Sequence, residues 1–360
     1  MNDKIKHFFT GENTSEEFHL FLDFITNQKT LKKKFFLKSK SMLLKSSLME
    51  NISEYFNKNG YDVECYHCPY DENLLDGIII KKLNIALLNS NLLNAIDSPL
   101  PYEILDLEEN LDKNNFERYM EKENCISTKI RNTSKRSYRF IKAAKLMQED
   151  WGYYNKLAVD YSKLTTTIED LESKILSDVG LENQGESRHL FATALTQNGI
   201  VSFIDTLYND MDKVYVLNGD PGTGKTMVLK TLYKEALKKG LYVEVYHHPL
   251  IIDKIEHIIM PQLNTAVITS NEINKTQFNG IQIYMNNLID YSKINKTDVE
   301  EDKTNFYLFL HKSLSILSSN KKLQDNLEKY YFENIDSDAL SITCEKFLSK
   351  LKEYEKKQKA

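Results

Sequence analysis

Sliding the chain against itself by 180 residues places GYDVECYHCP at 60–69 on GLYVEVYHHP at 240–249, and IIIKKLNIALLNSN at 78–91 on IIMPQLNTAVITSN at 258–271. Over 60–91 the two copies share 13 identities in 32 positions, where roughly 2 would be expected from composition alone. Upstream, residues 6–21 resemble 188–203 at an offset of 182. Whatever one half folds into, a repeat of this length requires of the other. The 360 residues therefore divide into two homologous lobes, 1–180 and 181–360, each the size of an ordinary domain.

Each lobe reads in the same order. A short apolar run with β-branched and aromatic residues (34–37; 214–217) is expected as a buried strand. An amphipathic helix follows (45–59; 225–239), closed by Gly60 or Gly240 as helix C-termini prefer. A second strand (61–66; 241–246) and a third (84–89; 264–269) complete the unit. This alternation predicts an α/β fold, each lobe a mostly parallel sheet flanked by helices. Helical sequence at 137–176, 305–332 and 338–354 is expected to add packing helices as extensions.

Composition excludes other classes. Only 12 glycines and 6 prolines rule out collagen-like, Pro-rich and linker-dominated chains. A net charge of −5 gives no global pull toward nucleic acid or anionic membrane. No apolar run approaches the roughly 20 residues that span a bilayer, and the N-terminal stretch lacks a signal peptide's apolar segment. Four cysteines (Cys65, Cys68, Cys125, Cys344) are too few for a disulfide framework. The expectation is a reduced, cytoplasmic protein with no membrane partner.

One segment carries sharp chemistry. Gly219-Asp220-Pro221-Gly222-Thr223-Gly224-Lys225-Thr226 fits G-x-x-x-x-G-K-[ST], after an expected strand and before an expected helix. Glycines let the backbone curl around phosphate oxygens, and successive N–H groups at a helix N-terminus make an anion cradle. In this reading ATP is held by residues 219–226, Lys225 reaches the β/γ-phosphates as the catalytic cation, and the Thr226 hydroxyl coordinates Mg²⁺. The first lobe has Ser39-Lys40-Ser41-Met42-Leu43-Leu44-Lys45-Ser46 at the same offset. All three glycines are gone, and Met42, Leu43 and Leu44 put bulky side chains where phosphates would sit, so this lobe is expected to be a degenerate copy that binds no triphosphate. An acid to hold the Mg²⁺ water shell is also missing, since the third strand ends in Thr269-Ser270-Asn271. Glu272, Asp253, Glu256 and Asp220 are the available substitutes.

The duplicated layout, GDPGTGKT, the V-E-x-Y-H motif in both lobes and the D-x-x-x-x-D-G segment ending at Gly77 together resemble a family of Firmicute two-lobe P-loop ATPases. These are largely uncharacterised cytosolic ATPases or ATP-binding proteins. The resemblance covers most of the chain and implies two tandem P-loop NTPase-like lobes. In that family the first lobe commonly keeps an intact glycine-rich loop and an Asp-Gly-Thr after its third strand, where this chain has SKSMLLKS and Asn89-Ser90-Asn91.

Weaker signals remain open. His67 and His247 end the second strand of each lobe, beside Cys65 and Cys68 or His248; they suit metal, a polar role near ligand, or plain packing. Lys29, Lys32, Lys33, Lys34, Lys38, Lys40 and Lys45 form one basic run, and Lys129, Arg131, Lys135, Arg136 and Arg139 another. Either is a nucleic-acid contact or a solvated face. Arg188 is the simplest candidate for a charge-stabilising finger. The leading expectation is a cytoplasmic Mg-ATP-binding protein with slow or partner-stimulated ATPase activity, its partner a protein or nucleic acid. A small-molecule or nucleotide kinase, and an ATP-gated scaffold or nucleic-acid-binding module without turnover, are the alternatives.

Overall fold

The computed structural model describes residues 5–21, 25, 31–95, 102–110, 113–177, 179–180, 184–274, 276–333 and 335–359. The first half contributes β1 (Ile5–Phe9), β2 (Gly11–Thr14), β3 (Glu17–Leu20), β4 (Lys33–Lys38), α1 (Met42–Lys58), β5 (Val63–His67), β6 (Leu75–Ile80), β7 (Ile85–Asn89), β8 (Tyr102–Asp106), α2 (Lys113–Leu157) and α3 (Tyr161–Leu176). The second contributes β9 (Ser187–Leu190), β10 (Thr193–Thr196), β11 (Gly199–Ser202), α4 (Ile204–Tyr208), β12 (Lys213–Asn218), α5 (Lys225–Lys238), β13 (Val243–His247), β14 (Ile255–Met260), β15 (Thr265–Ser270) and β16 (Ile281–Tyr284). It closes with α6 (Lys296–Ser318), α7 (Lys321–Phe332) and α8 (Ser337–Lys359).

Two six-stranded sheets have one topology, β1-β5-β6-β7-β4-β8 and β9-β13-β14-β15-β12-β16. Five strands of each run parallel and one, β6 or β14, runs against them. The sequence reading expects strands at 84–89 and 264–269 but assigns none to the apolar runs before them. Only residues 81–84 or 261–264 join these runs to the next strand. That is too short for a parallel crossover, so each pair must be antiparallel.

Each sheet is flanked by helices as expected, and they cover one of its two faces. Strand residues alternate between two cores. Val63, Cys65, Ile78 and Leu87 face α1, while Tyr66, Ile79 and Leu88 join Tyr246, Ile259 and Ile268 of the other sheet. Val243, Val245, Ile258 and Val267 face α5. The molecule is thus layered helix, sheet, sheet, helix, and each sheet supplies the other's second cover. The V-E-x-Y-H motif builds this seam. Phe8 stacks between Tyr66 and Tyr246 at ring distances of 5.5 and 6.3 Å.

The outer helices are exchanged between the halves. Leu164, Ile168 and Leu171 of α3 pack on the second sheet with α5, whereas Leu340, Phe347 and Leu351 of α8 pack on the first sheet with α1. At an offset of 176 the two segments match, with six identities between 159–176 and 335–352. The matched Asp160 and Asp336 both cap their helices by accepting backbone N–H bonds. Two residues meet their own counterparts across the pseudo-two-fold: Phe9 N–H donates to Phe191 C=O at 3.0 Å, and the Ser137 and Ser313 hydroxyls lie 2.7 Å apart.

Arg188 is committed to the seam, which removes it as a finger. Its guanidinium donates two 2.9 Å bonds to both carboxylate oxygens of Glu64 on the opposite sheet, and both side chains are 5% exposed. Burial opposes ionisation of Glu64, but Arg188 and Lys81 outweigh it and hold the carboxyl well below its usual range. Removing one partner leaves a buried charge, so Arg188→Ala should cost about 3–5 kcal/mol in urea unfolding. A paired apolar replacement, Arg188→Met with Glu64→Leu, should recover most of it. A single variant as stable as wild type would contradict this placement. Among the described residues no helix is long and apolar enough to cross a membrane.

Candidate functional site

The glycine-rich segment lies between β12 and α5. Gly222 and Gly224 have φ of +79° and +99°, a region that side chains disfavour. A Cβ at Gly222 would also lie 2.0 Å from the Gly152 carbonyl oxygen. The loop is braced from outside: Asn155 Nδ2 donates to Pro221 C=O at 2.7 Å, and Asp220 N–H donates to Asn286 Oδ1 at 3.0 Å. Lys225 Nζ folds inward and donates to the Gly219 and Asp220 carbonyls, the latter at 2.7 Å. Burial lowers its pKa to about 8, against the pull of Glu272, Asp220 and Glu256. The Thr226 hydroxyl has no hydrogen-bond partner among the described residues. A cleft of about 190 Å³ opens from residues 222–227 toward Lys156, Val159, Tyr161 and Lys254.

Of the substitute acids, the structure brings two together. Glu272 sits two residues past β15, the strand parallel and adjacent to β12. Its Oε1 accepts from Gln148 and lies 3.7 Å from Lys254 Nζ and 3.5 Å from His248 Nε2. Burial raises its pKa, but Lys254, His248 and Lys225 outweigh this and keep it ionised well below the usual range. Glu256 on β14 accepts from Asn271 Nδ2 at 2.7 Å and Asn274 Nδ2 at 3.2 Å. Burial pushes its pKa up to about 8, with Glu272 adding to the rise. Each glutamate keeps its Oε2 buried without a hydrogen-bond partner, that of Glu256 3.5 Å from His257 Nε2. Two neighbouring carboxyls are thus split into an ionised and a protonated one, the pattern that divides acid from base roles. Asp253 is exposed, and its charge acts on His19 and His247 instead.

The split has a measurable consequence. Glu256 keeps its proton to about pH 8 in the fold but only to 4.5, its ordinary value, when unfolded. Between those values the folded chain binds more protons, so stability falls as pH rises through about 5 to 8. Glu256→Gln carries no such proton, and its Tm should decline less over this range than the wild type's. Parallel declines would contradict the assignment.

In the first lobe the same segment is built differently. α1 begins at Met42 and α5 at Lys225, so residues 42–44, the counterparts of 222–224, are wound into an extra helical turn. Sequence suggests that bulky side chains fill the phosphate volume, yet Leu44 points into the core and Leu43 is 41% exposed. The occupant is Glu328 of α7. Its carboxylate accepts from Met42 N–H at 2.7 Å, Leu43 N–H at 3.3 Å and the Ser41 hydroxyl. Lys45 Nζ donates to Asn89 Oδ1 at 2.6 Å, and the Ser46 hydroxyl donates to Glu50 Oε1 at 2.7 Å.

His67 and His247 lie at the C-terminal ends of β5 and β13, and each spends both ring nitrogens. His7 Nδ1 is 2.8 Å from His67 Nε2, and His189 Nδ1 is 2.7 Å from His247 Nε2. Their other nitrogens meet the Glu72 and Ile252 carbonyls. Among the described residues no group of three or more His, Cys, Asp or Glu has metal-binding geometry. In the lysine run, Lys29 lies outside the described residues. Lys33 pairs with Glu103 at 3.2 Å and Lys38 with Asp106 at 2.6 Å, while Lys34 and Lys45 are buried. Among the described residues of the run, Lys32 and Lys40 stand exposed without such a pairing. Lys129, Arg131, Lys135, Arg136 and Arg139 are exposed on α2. Residues that sequence reasoning did not single out, Gln148, Gly152, Asn155, Lys156, Lys254 and Asn286, surround the loop; the 176-residue offset is the signal that points to the α2 members.

Comparison with protein-family models, curated proteins and solved structures found no match.

Proposed function

We propose that the second lobe is a P-loop NTPase-like unit that binds Mg-ATP at residues 219–226, and that the chain is a slow or partner-stimulated cytoplasmic ATPase. The observation that carries this reading is the loop backbone. Two left-handed glycines precede a buried lysine at the mouth of a helix, and a Cβ at Gly222 or Gly224 would strike Gly152 or Leu164. The residues present fit a magnesium nucleotide. Thr226 offers an unused hydroxyl, and Glu272 offers an ionised carboxylate with an unpartnered oxygen beside Lys225. Mg²⁺, when bound with the nucleotide, would neutralise phosphate charge. Lys225 would exchange its loop carbonyls for phosphate oxygens, and Glu272 would orient water. Its existing partners, Gln148 and Lys254, restrain that carboxylate, which favours low basal turnover. The same restraint supports the second reading, an ATP-gated scaffold without turnover.

Phosphate release from Mg-ATP, measured with and without RNA or DNA and beside a screen for phosphorylated acceptors, separates the readings. Slow, Mg²⁺-dependent release is expected. An acceptor phosphorylated faster than water would replace the ATPase reading with a kinase. No binding of any nucleoside triphosphate would overturn both.

A further inference from the structure

The two lobes differ at one point that locates a ligand group. At the 176-residue offset that relates the exchanged helices, Gln148 matches Gln324, Asp160 matches Asp336, and Leu164 matches Leu340. The same offset puts Gly152 where the other lobe has Glu328. Glu328 places a carboxylate on Met42 N–H and Leu43 N–H, whose counterparts are Gly222 N–H and Thr223 N–H. Gly152 has no side chain, and a Cβ built on it would point at Gly222 N, 3.4 Å away.

The surrounding charge follows the same division. Lys156 and Lys254 line the cleft of the second lobe. Their counterparts in the first are Phe332, at the 176-residue offset, and Leu74, at the 180-residue offset. The lobe with a built-in anion is apolar at these positions, and the lobe without one has two cations. An anion at a helix N-terminus is stabilised by the free N–H groups. One lobe supplies that anion from within the chain, and the other has no side-chain anion at the matching position, where the Gly152 backbone packs against Gly222.

We propose that the Glu328 carboxylate marks the position of the ligand's terminal phosphate. In the second lobe that phosphate is received at Gly222 and Thr223 N–H beneath Gly152, with Lys156 near the C-terminus of helix α2 as an additional binding residue. This rests on the nucleotide reading of the loop. It makes the first half of the chain part of the second half's site, so neither half forms the site alone.

Titration of the full chain with Mg-ATP and Mg-ADP tests the placement. Gly152→Glu should plug the loop as Glu328 does, lowering ATP affinity by at least about thirtyfold with the protein folded. Gly152→Gln, similar in size but uncharged, should lose less. Lys156→Gln changes an exposed side chain and should not disturb folding; it should weaken ATP by about tenfold and ADP by less than about twofold. A wild type that binds neither nucleotide overturns the reading on which the placement rests. A wild type that binds ATP, with a folded Gly152→Glu variant that binds it equally well, overturns the placement alone. So does a Lys156→Gln variant that loses ATP and ADP affinity alike.

Discussion

Lys225→Ala should weaken Mg-ATP binding by at least about a hundredfold, the largest effect expected of any single change to the site. The ammonium is buried, and among the described residues its hydrogen bonds go to loop carbonyls, with Glu272 and Asp220 attracting it without direct contact. Burial has already lowered its pKa to about 8, so a cation stands in the loop with much of its water removed. A triphosphate would add counter-charge in direct contact with it. The same argument sets a pH dependence. Unbound Lys225 releases its proton as pH rises past about 8, so wild-type affinity should fall there, and the alanine variant should show no such fall. Isothermal titration at pH 7 and pH 9, with a thermal melt to confirm folding, reads both. Wild-type affinity in the alanine variant would remove Lys225 from the site.

Glu272→Gln should abolish phosphate release while leaving ATP affinity within a few-fold of wild type. Glu272 is buried and held ionised by Lys254, His248 and Lys225 despite the cost of burial. Glu256, raised to about 8, is already neutral at pH 7; Glu256→Gln should therefore change turnover little. Glutamine at 272 keeps an oxygen for Gln148 and His248 but lacks the charge that orients water and holds Mg²⁺. Steady-state phosphate release from the two variants side by side is the measurement. A Glu272→Gln variant that releases phosphate at the wild-type rate would reject this residue as the acid that Thr269 does not supply.

What could be read from the chain was local. β4, β5, β12, β13 and the helix α5 follow from short apolar runs, from Gly60 and Gly240, and from a loop whose glycine spacing has few other uses. The order of strands within a sheet depends on connection length and long-range pairing, so β6 and β14 appear in sequence only as apolar runs. The amphipathic pattern of α3 and α8 shows that one face is buried but not against which sheet, and the exchange between halves stayed hidden. Arg188 illustrates the same limit: its charge is visible in sequence, its Glu64 partner 124 residues away is not. At the loop of the first lobe, lost glycines are evident, but the extra turn of α1 and the carboxylate of Glu328 require three dimensions. Glu256 and Glu272 are plain candidates in sequence, and only burial among Asn271, Asn274, Lys254 and His248 divides their protonation.

The central claim is that one loop of the two takes a nucleotide. The second lobe has Gly222 and Gly224 in left-handed geometry beside an open cleft. The first lobe has wound the same residues into a helix and filled the N-terminus with Glu328. Calorimetric titration of the full chain with Mg-ATP measures this directly. One nucleotide per chain is expected, with Lys45→Ala leaving the affinity almost unchanged because Lys45 is held by Asn89. Two nucleotides per chain, or loss of binding in a folded Lys45→Ala variant, would contradict it.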